Sequence, residues 1–234
     1  MNTTEQSGFQ FKQFFVRHDR CAMRVGTDGV LLGAWAEMPA NGAVLDVGCG
    51  SGLIALMCAQ RCDRQIYGVE IDAAAADQAK ENVAASPFAE RVHIFQDDFT
   101  NFRSPLLFET IVSNPPYFNN SLKAPTALRS IARHTDTLSF ETFVQRAYHL
   151  STPTASLQLI LPISEEKRFF SACCGLFFLT RRTIVRTKST KAPKRVLLHF
   201  SKLEVPLVED ELILMTENNT HSEAYQFLTS AFYL

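Results

Sequence analysis

Ala43-Val44-Leu45-Asp46-Val47, running straight into Gly48-Cys49-Gly50-Ser51-Gly52, reads as a buried strand that ends in a tight glycine turn. A short apolar run closed by glycines is the pattern of a strand covered on both faces. Leu53 to Cys62 continues as a helix, and the alternation repeats downstream. Gln65 to Glu70 is a second strand and the alanine-rich Ala73 to Ala85 a second helix. Arg91 to Gln96 and Phe108 to Ser113 give two more strands, Phe140 to Leu150 a helix, Ser156 to Leu161 a fifth strand and Glu165 to Cys174 a helix. Strands alternating with helices predict a doubly wound, mostly parallel α/β sheet with helices on both faces. The runs Leu176 to Val185 and Val196 to Ser201 have no helix between them, so they are expected to close one edge as an antiparallel hairpin.

Outward from this core, Asp28 to Glu37 and Ser222 to Leu234 are predicted as flanking helices. One domain over residues 1–234 is expected, with 1–42 as an N-terminal extension, 43–204 as the core and 205–234 as a C-terminal tail. A composition of 46% hydrophobic and 20% charged residues excludes intrinsic disorder, collagen and coiled coil. Lys and Arg number 23 against 24 Asp and Glu, a net charge of −1, so any nucleic-acid partner has to be met by a local patch. The start lacks the basic and apolar regions of a secretory signal, and no apolar run reaches the ~18 residues of a membrane span. The six cysteines contain no C-x-x-C pair and are expected to be small buried side chains in a reducing cytosol, without metal or disulfides. A cytoplasmic monomer with no membrane partner is the expectation.

The glycine turn carries the first chemistry. Asp46-x-Gly48-x-Gly50-x-Gly52 permits close approach of a ligand to the backbone at a helix N-terminus. A dinucleotide fingerprint would need glycine where Leu53 stands, and a phosphate-binding P-loop would need a following lysine. Without a pyrophosphate partner, the turn suits a smaller adenosyl ligand. Glu70 ends the second strand eighteen positions after Gly52, where a carboxylate can accept both ribose hydroxyl protons. In Asp97-Asp98-Phe99, after the third strand, a carboxylate can accept the adenine amino group while Phe99 lines the ring.

Strand four ends in Ser113-Asn114-Pro115-Pro116-Tyr117. Two prolines fix the backbone and remove two N–H donors, which leaves carbonyls on a rigid turn. The Asn114 side-chain oxygen and the Pro115 carbonyl can each accept one hydrogen of a planar –NH2 group. Two acceptors favour pyramidal character at the nitrogen and free its lone pair for in-line attack. Tyr117 offers a stacking face to the ring that bears the amine, worth ~1–3 kcal/mol. Asn114, Pro115 and Tyr117 are therefore the candidate catalytic residues.

Asp46 to Gly52, Glu70 and Asn114 to Tyr117 resemble the signatures of class I S-adenosylmethionine-dependent amino methyltransferases. That resemblance implies a Rossmann-like, seven-stranded sheet with an antiparallel edge hairpin, and S-adenosylmethionine as cofactor. It also implies that Asp46, Gly48, Gly50 and Glu70 hold the methionine and ribose parts, Asp98 and Phe99 the adenine, and Asn114 and Tyr117 the target amine. The signatures alone fit adenine, guanine, cytosine and glutamine-amide targets. No Pro-Cys dipeptide exists, which excludes a covalent cysteine route to 5-methylcytosine.

The flanks resemble the bacterial valine-tRNA adenine-N6 methyltransferases, over Phe11 to Phe14, His18 to Trp35, Ala192 to Leu198 and Tyr225 to Leu234. The implied substrate is the adenosine just 3′ of the anticodon of a valine tRNA. In the related enzymes the opening segment packs over the cofactor, which makes Lys12, Gly26 and Thr27 candidate cofactor neighbours. Arg181, Arg182, Arg186, Lys188, Lys191, Lys194 and Arg195 fall in a stretch without an acidic residue and form a candidate phosphate-binding rim. Arg129, Arg133 and His134 lie in a segment that can close over a splayed base. A glutamine methyltransferase of a peptide-release factor shares the Asn-Pro-Pro-Tyr signature, and only about forty residues precede strand one to serve as its helical domain. A non-catalytic RNA-binding protein on a degenerate methyltransferase fold is the third reading.

Overall fold

A computed structural model of the chain describes residues 7–115 and 138–233. Tyr117, Arg129, Arg133 and His134 lie outside the described residues. A small antiparallel hairpin, β1 (Gly8–Gln10) and β2 (Phe15–Arg17), precedes helix α1 (Thr27–Trp35). The core follows as β3 (Ala43–Val47), α2 (Leu53–Arg61), β4 (Ile66–Glu70), α3 (Ala73–Ala84), β5 (Val92–Gln96) and β6 (Phe108–Ser113). Helix α4 (Phe140–His149), strand β7 (Ser151–Pro162), helix α5 (Glu166–Cys173), strands β8 (Phe178–Arg186), β9 (Arg195–Ser201) and β10 (Val208–Ile213), and helix α6 (Glu223–Thr229) complete it.

The strands order as β10-β8-β9-β7-β6-β3-β4-β5. β3, β4, β5, β6 and β7 run parallel, while β9 is antiparallel to both β7 and β8. This is the doubly wound sheet with its antiparallel β8–β9 hairpin, which lies one strand in from the edge rather than closing it. The sheet has eight described strands rather than the expected seven, because β10 pairs parallel to β8. Its sequence, Val208-Glu209-Asp210-Glu211-Leu212-Ile213, has three successive acids and buries only Leu212 fully, so it carries no alternating signal. The hairpin β1–β2, at three residues a strand, is likewise too short to show a pattern in the sequence.

Alternation along the strands divides the core between the two faces. Val44, Ile66 and Val112 pack with α1 and α2, while Leu45, Val47 and Ile111 pack with α4 and α5. Helix α4 places Phe140, Phe143, Val144 and Ala147 at helical spacing on its buried face. Ser139 caps it by accepting from the Thr142 N–H at 3.2 Å, and Asp72 caps α3 by accepting from the Ala75 N–H at 2.8 Å. Helix α1 is buried over seven of its nine residues and is fastened to the sheet by the Trp35 indole N–H, which donates to Thr183 Oγ1 at 2.9 Å.

Candidate active site

A cavity of about 510 Å³ opens at the carboxyl ends of β3, β4, β5 and β6. Ligands of open α/β sheets bind at this edge, where loops leave the strands. Gly48, Gly50, Glu70, Asp97, Asp98, Phe99 and Pro115 all line it, so residues spread over nearly seventy positions converge as expected. Ser113 holds the end of β6 against β3 by donating its hydroxyl to the Val47 carbonyl at 2.8 Å. Asn114 follows directly, half-buried, between the lining residues Ser113 and Pro115 but not itself on the lining.

Gly48 and Gly50 have φ of +70° and +53°, and a Cβ on either would meet nothing within 4 Å. The turn is thus shaped by left-handed backbone, with empty space where side chains would stand. Glu70 braces it: one carboxylate oxygen accepts from the Gly50 N–H at 2.9 Å and the other from the Asp72 N–H at 3.0 Å. Each oxygen retains acceptor capacity for a hydroxyl. Phe99 is almost fully buried, with its ring 5.4 Å from that of Phe143. Asp98 is fixed by accepting the Thr100 N–H at 2.8 Å.

Asp46 lies wholly inside the protein, beneath the turn and off the cavity lining. Its Oδ2 accepts the Ala55 N–H at 3.1 Å, and its Oδ1 has no hydrogen-bond partner among the described residues. Burial pushes its carboxyl up to about 8, against the Ala55 hydrogen bond, which lowers it. An open glycine cradle, an acceptor pair at Glu70 and an orphaned carboxyl oxygen under the turn fit a cationic adenosyl cofactor.

The opening segment reaches the cavity at different residues from those expected. Asp19 to Met23 line it, whereas Lys12, Gly26 and Thr27 do not. Lys12 donates its ammonium to the Ser230 carbonyl at 2.7 Å, Gly26 precedes α1, and Thr27 lines a separate cleft. The fastening is made by two buried amides of α3. Gln78 accepts the Arg20 N–H at 3.0 Å and donates to Asp19 Oδ1 at 2.8 Å. Asn82 bonds both backbone groups of Arg17 and donates to the Ser51 carbonyl at 2.9 Å. Buried amides on an alanine-rich helix were the available signal in the sequence, since α3 could have been wholly apolar on that face. Burial, with Glu70 and Asp72 nearby, pushes the Cys21 thiol up to about 11, so it stays protonated. Cys49, Cys58 and Cys173 are buried as expected, Cys21 and Cys62 only partly, and Cys174 is exposed.

The arginines of the basic stretch are ion-paired. Arg181 pairs with Asp210 at 2.9 Å and Glu37 at 3.5 Å, and its guanidinium lies 4.7 Å from the Trp35 ring centre. Arg182 pairs with Glu166 and with Glu209 at 3.2 Å, Arg186 with Glu211, and Arg195 with Asp28 at 2.7 Å. The acids of β10, remote in sequence, stand beside β8 and neutralise its arginines. These four are therefore each held in an ion pair in the folded chain. Lys188 donates to the Glu217 carbonyl at 3.0 Å, and Lys188, Lys191 and Lys194 carry no ion pair among the described residues. They sit in the β8–β9 connection, at the same edge of the sheet as the cavity. No group of three or more His, Cys, Asp or Glu among the described residues is placed to hold a metal. No helix among them is long and apolar enough to cross a membrane.

Known proteins resemble this chain along its length. The methyltransferase small domain family matches residues 25–139. A protein of Phocaeicola vulgatus named tRNA1(Val) (adenine(37)-N6)-methyltransferase is 48% identical over 228 residues, covering 97% of each chain. One of the same name from Pseudoalteromonas translucida is 43% identical, covering 97% of this chain and 99% of its own. Among solved structures, a predicted O-methyltransferase of Agrobacterium tumefaciens superposes with a TM-score of 0.68 at 19% identity, over 88% of this chain and 96% of that one. A glycopeptide N-methyltransferase in complex with S-adenosylmethionine gives a TM-score of 0.55 at 13% identity, over 75% and 87%. These two share the fold.

Proposed function

The chain belongs to the tRNA1(Val) (adenine(37)-N6)-methyltransferase family, and on that footing we propose that it methylates the exocyclic N6 amine of adenine 37 in the anticodon loop of a valine tRNA. It is an S-adenosylmethionine-dependent enzyme. The observation that carries the site assignment is the convergence of the glycine turn, Glu70, Asp97 to Phe99 and Pro115 on one cavity. When bound, the cofactor supplies an electrophilic methyl group on a cationic sulfur.

The residues of the chain do the positioning. Gly48 and Gly50 would bring backbone against the cofactor, Glu70 would accept its ribose hydroxyls, and Asp98 with Phe99 would receive its adenine. Asp46, buried under the glycine turn, would help hold the methionine part of the cofactor. Asn114 and the Pro115 carbonyl accept the two hydrogens of the target amine and aim its lone pair, and Tyr117 stacks on the base. Orientation of this kind, with reacting atoms ~3–3.5 Å apart, supplies much of the acceleration when the leaving group is already good. A base in a single-stranded loop is cheap to splay out. Lys188, Lys191 and Lys194 meet phosphates, and Arg129 and Arg133 are further candidates for RNA contact. Residues 1–234 act as one domain, in the cytoplasm, where tRNA is modified.

The test is transfer of labelled methyl to transcribed valine tRNA, digested and separated by nucleoside. Label in N6-methyladenosine at a single position supports this reading. Label in a peptide-release factor and none in tRNA would replace it with the glutamine reading.

A further inference from the structure

A second cleft, of about 300 Å³, opens at the same edge of the sheet, between the start of α1, the β8–β9 connection and the segment after β10. Its lining combines aromatic, cationic and hydroxyl groups: His221 and Tyr225, Lys194 and Arg195, Thr27 and Thr187. A nucleotide presents the matching set, a flat ring, a phosphodiester anion and a ribose hydroxyl. Met23 lines the first cavity and Thr27 the second, so four Cα-to-Cα steps along the chain separate the two linings. At ~3.8 Å per step that is at most about 15 Å, within reach of a few nucleotides of one loop.

The cleft is preformed. His221 is exposed, and its ring meets that of the buried Tyr225 edge-on, with centres 4.8 Å apart. The Tyr225 hydroxyl lies 3.2 Å from that of Tyr233, and a β-bridge to Met215 fixes the His221 backbone. Arg195 is held by Asp28 at 2.7 Å, while the exposed Lys194 has no ion pair among the described residues. A rigid aromatic platform beside an available cation suits base stacking with a flanking phosphate contact, at small ordering cost.

We propose that this cleft binds a second nucleotide of the substrate tRNA, a neighbour of the methylated adenosine that is stacked on His221 with its phosphate toward Lys194. The proposal rests on the tRNA reading above. The experiment measures KM for transcribed valine tRNA, and tRNA affinity by fluorescence anisotropy, for three variants. His221→Ala is expected to raise both constants roughly tenfold, the usual cost of losing one stacked base. His221→Phe keeps a flat ring and is expected to stay within about threefold of wild type. Thr187→Trp fills the cleft and is expected to weaken tRNA as His221→Ala does. Cofactor affinity, read by calorimetry, should hold in all three and reports that they fold. Wild-type tRNA constants in both His221→Ala and Thr187→Trp would overturn the proposal while leaving tRNA methylation intact. A wild-type protein that leaves tRNA unmethylated would overturn both readings.

Discussion

Asp46 combines full burial with one unpartnered oxygen, and that combination sets a pH dependence. Its carboxyl is raised from 3.8 to about 8 in the folded chain, so between those values the folded state holds a proton that the unfolded state has released. Stability from this group is present below about pH 4 and is lost as pH rises towards 8. The melting temperature of the cofactor-free protein should therefore fall from pH 5 to pH 8, and Asp46→Asn should flatten that fall. A thermal series by circular dichroism checks it, and identical slopes in both proteins would rule Asp46 out. Glu70 yields a second prediction. Glu70→Gln leaves one acceptor but turns an N–H donor toward either Gly50 or Asp72, whose own N–H groups point there. Cofactor affinity should fall at least tenfold, since bonds to a charged acceptor contribute ~1.5–3 kcal/mol each. Calorimetry giving the wild-type constant would remove Glu70 from the ribose site.

At the scale of elements, α3 and β10 each perform a task that their composition hides. Helix α3 fastens the cavity roof through Gln78 and Asn82, tying Arg17 to Cys21 to the glycine turn. Gln78→Leu should raise KM for the cofactor severalfold with little change in kcat, because the roof loosens while the target-amine residues stay in place. An equal loss in both parameters would point to general disorder of the site. Strand β10 supplies Glu209, Asp210 and Glu211 to the arginines of β8. Arg182 is the best shielded of these, bonded by both Nε and Nη2 to Glu166. Arg182→Ala should cost about 1 kcal/mol of stability, at the upper end for partly exposed pairs. It should leave tRNA affinity near wild type. Denaturant titration and anisotropy read the two effects separately.

For the whole molecule, the net charge of −1 conceals an uneven distribution. The arginines of β8 are held in ion pairs, and the lysines of the β8–β9 connection carry none among the described residues, at the carboxyl edge of the sheet. Replacing Lys188, Lys191 and Lys194 together by Ala should weaken tRNA binding and flatten its log–log salt dependence, by roughly 0.7–0.9 for each phosphate no longer neutralised. The matching triple of Arg181, Arg182 and Arg186 should lower stability and leave the slope unchanged. A salt series on both variants decides between them, and a slope altered only in the arginine triple would move the phosphate rim back to β8.

The sequence alone determined seven of the eight strands of the main sheet, its winding and the cavity-lining set Gly48, Gly50, Glu70, Asp98, Phe99 and Pro115. Each of these is tied to a local signal, an apolar run, a glycine turn or a proline pair at a strand end, and parallel topology brings strand ends to one edge regardless of detail. Tertiary structure decided everything that depends on partners distant along the chain. Strand β10 has no apolar pattern because charge pairing with β8 holds it, and a stretch that reads as free cations becomes ion pairs once that strand lies beside it. The opening segment lines the cavity through Asp19 to Met23 rather than Lys12, Gly26 and Thr27, since the position of a segment follows from what anchors it, here two amides some sixty residues away. Local pattern encodes backbone geometry. Whether a charge or a strap is available to a ligand depends on its neighbours in space.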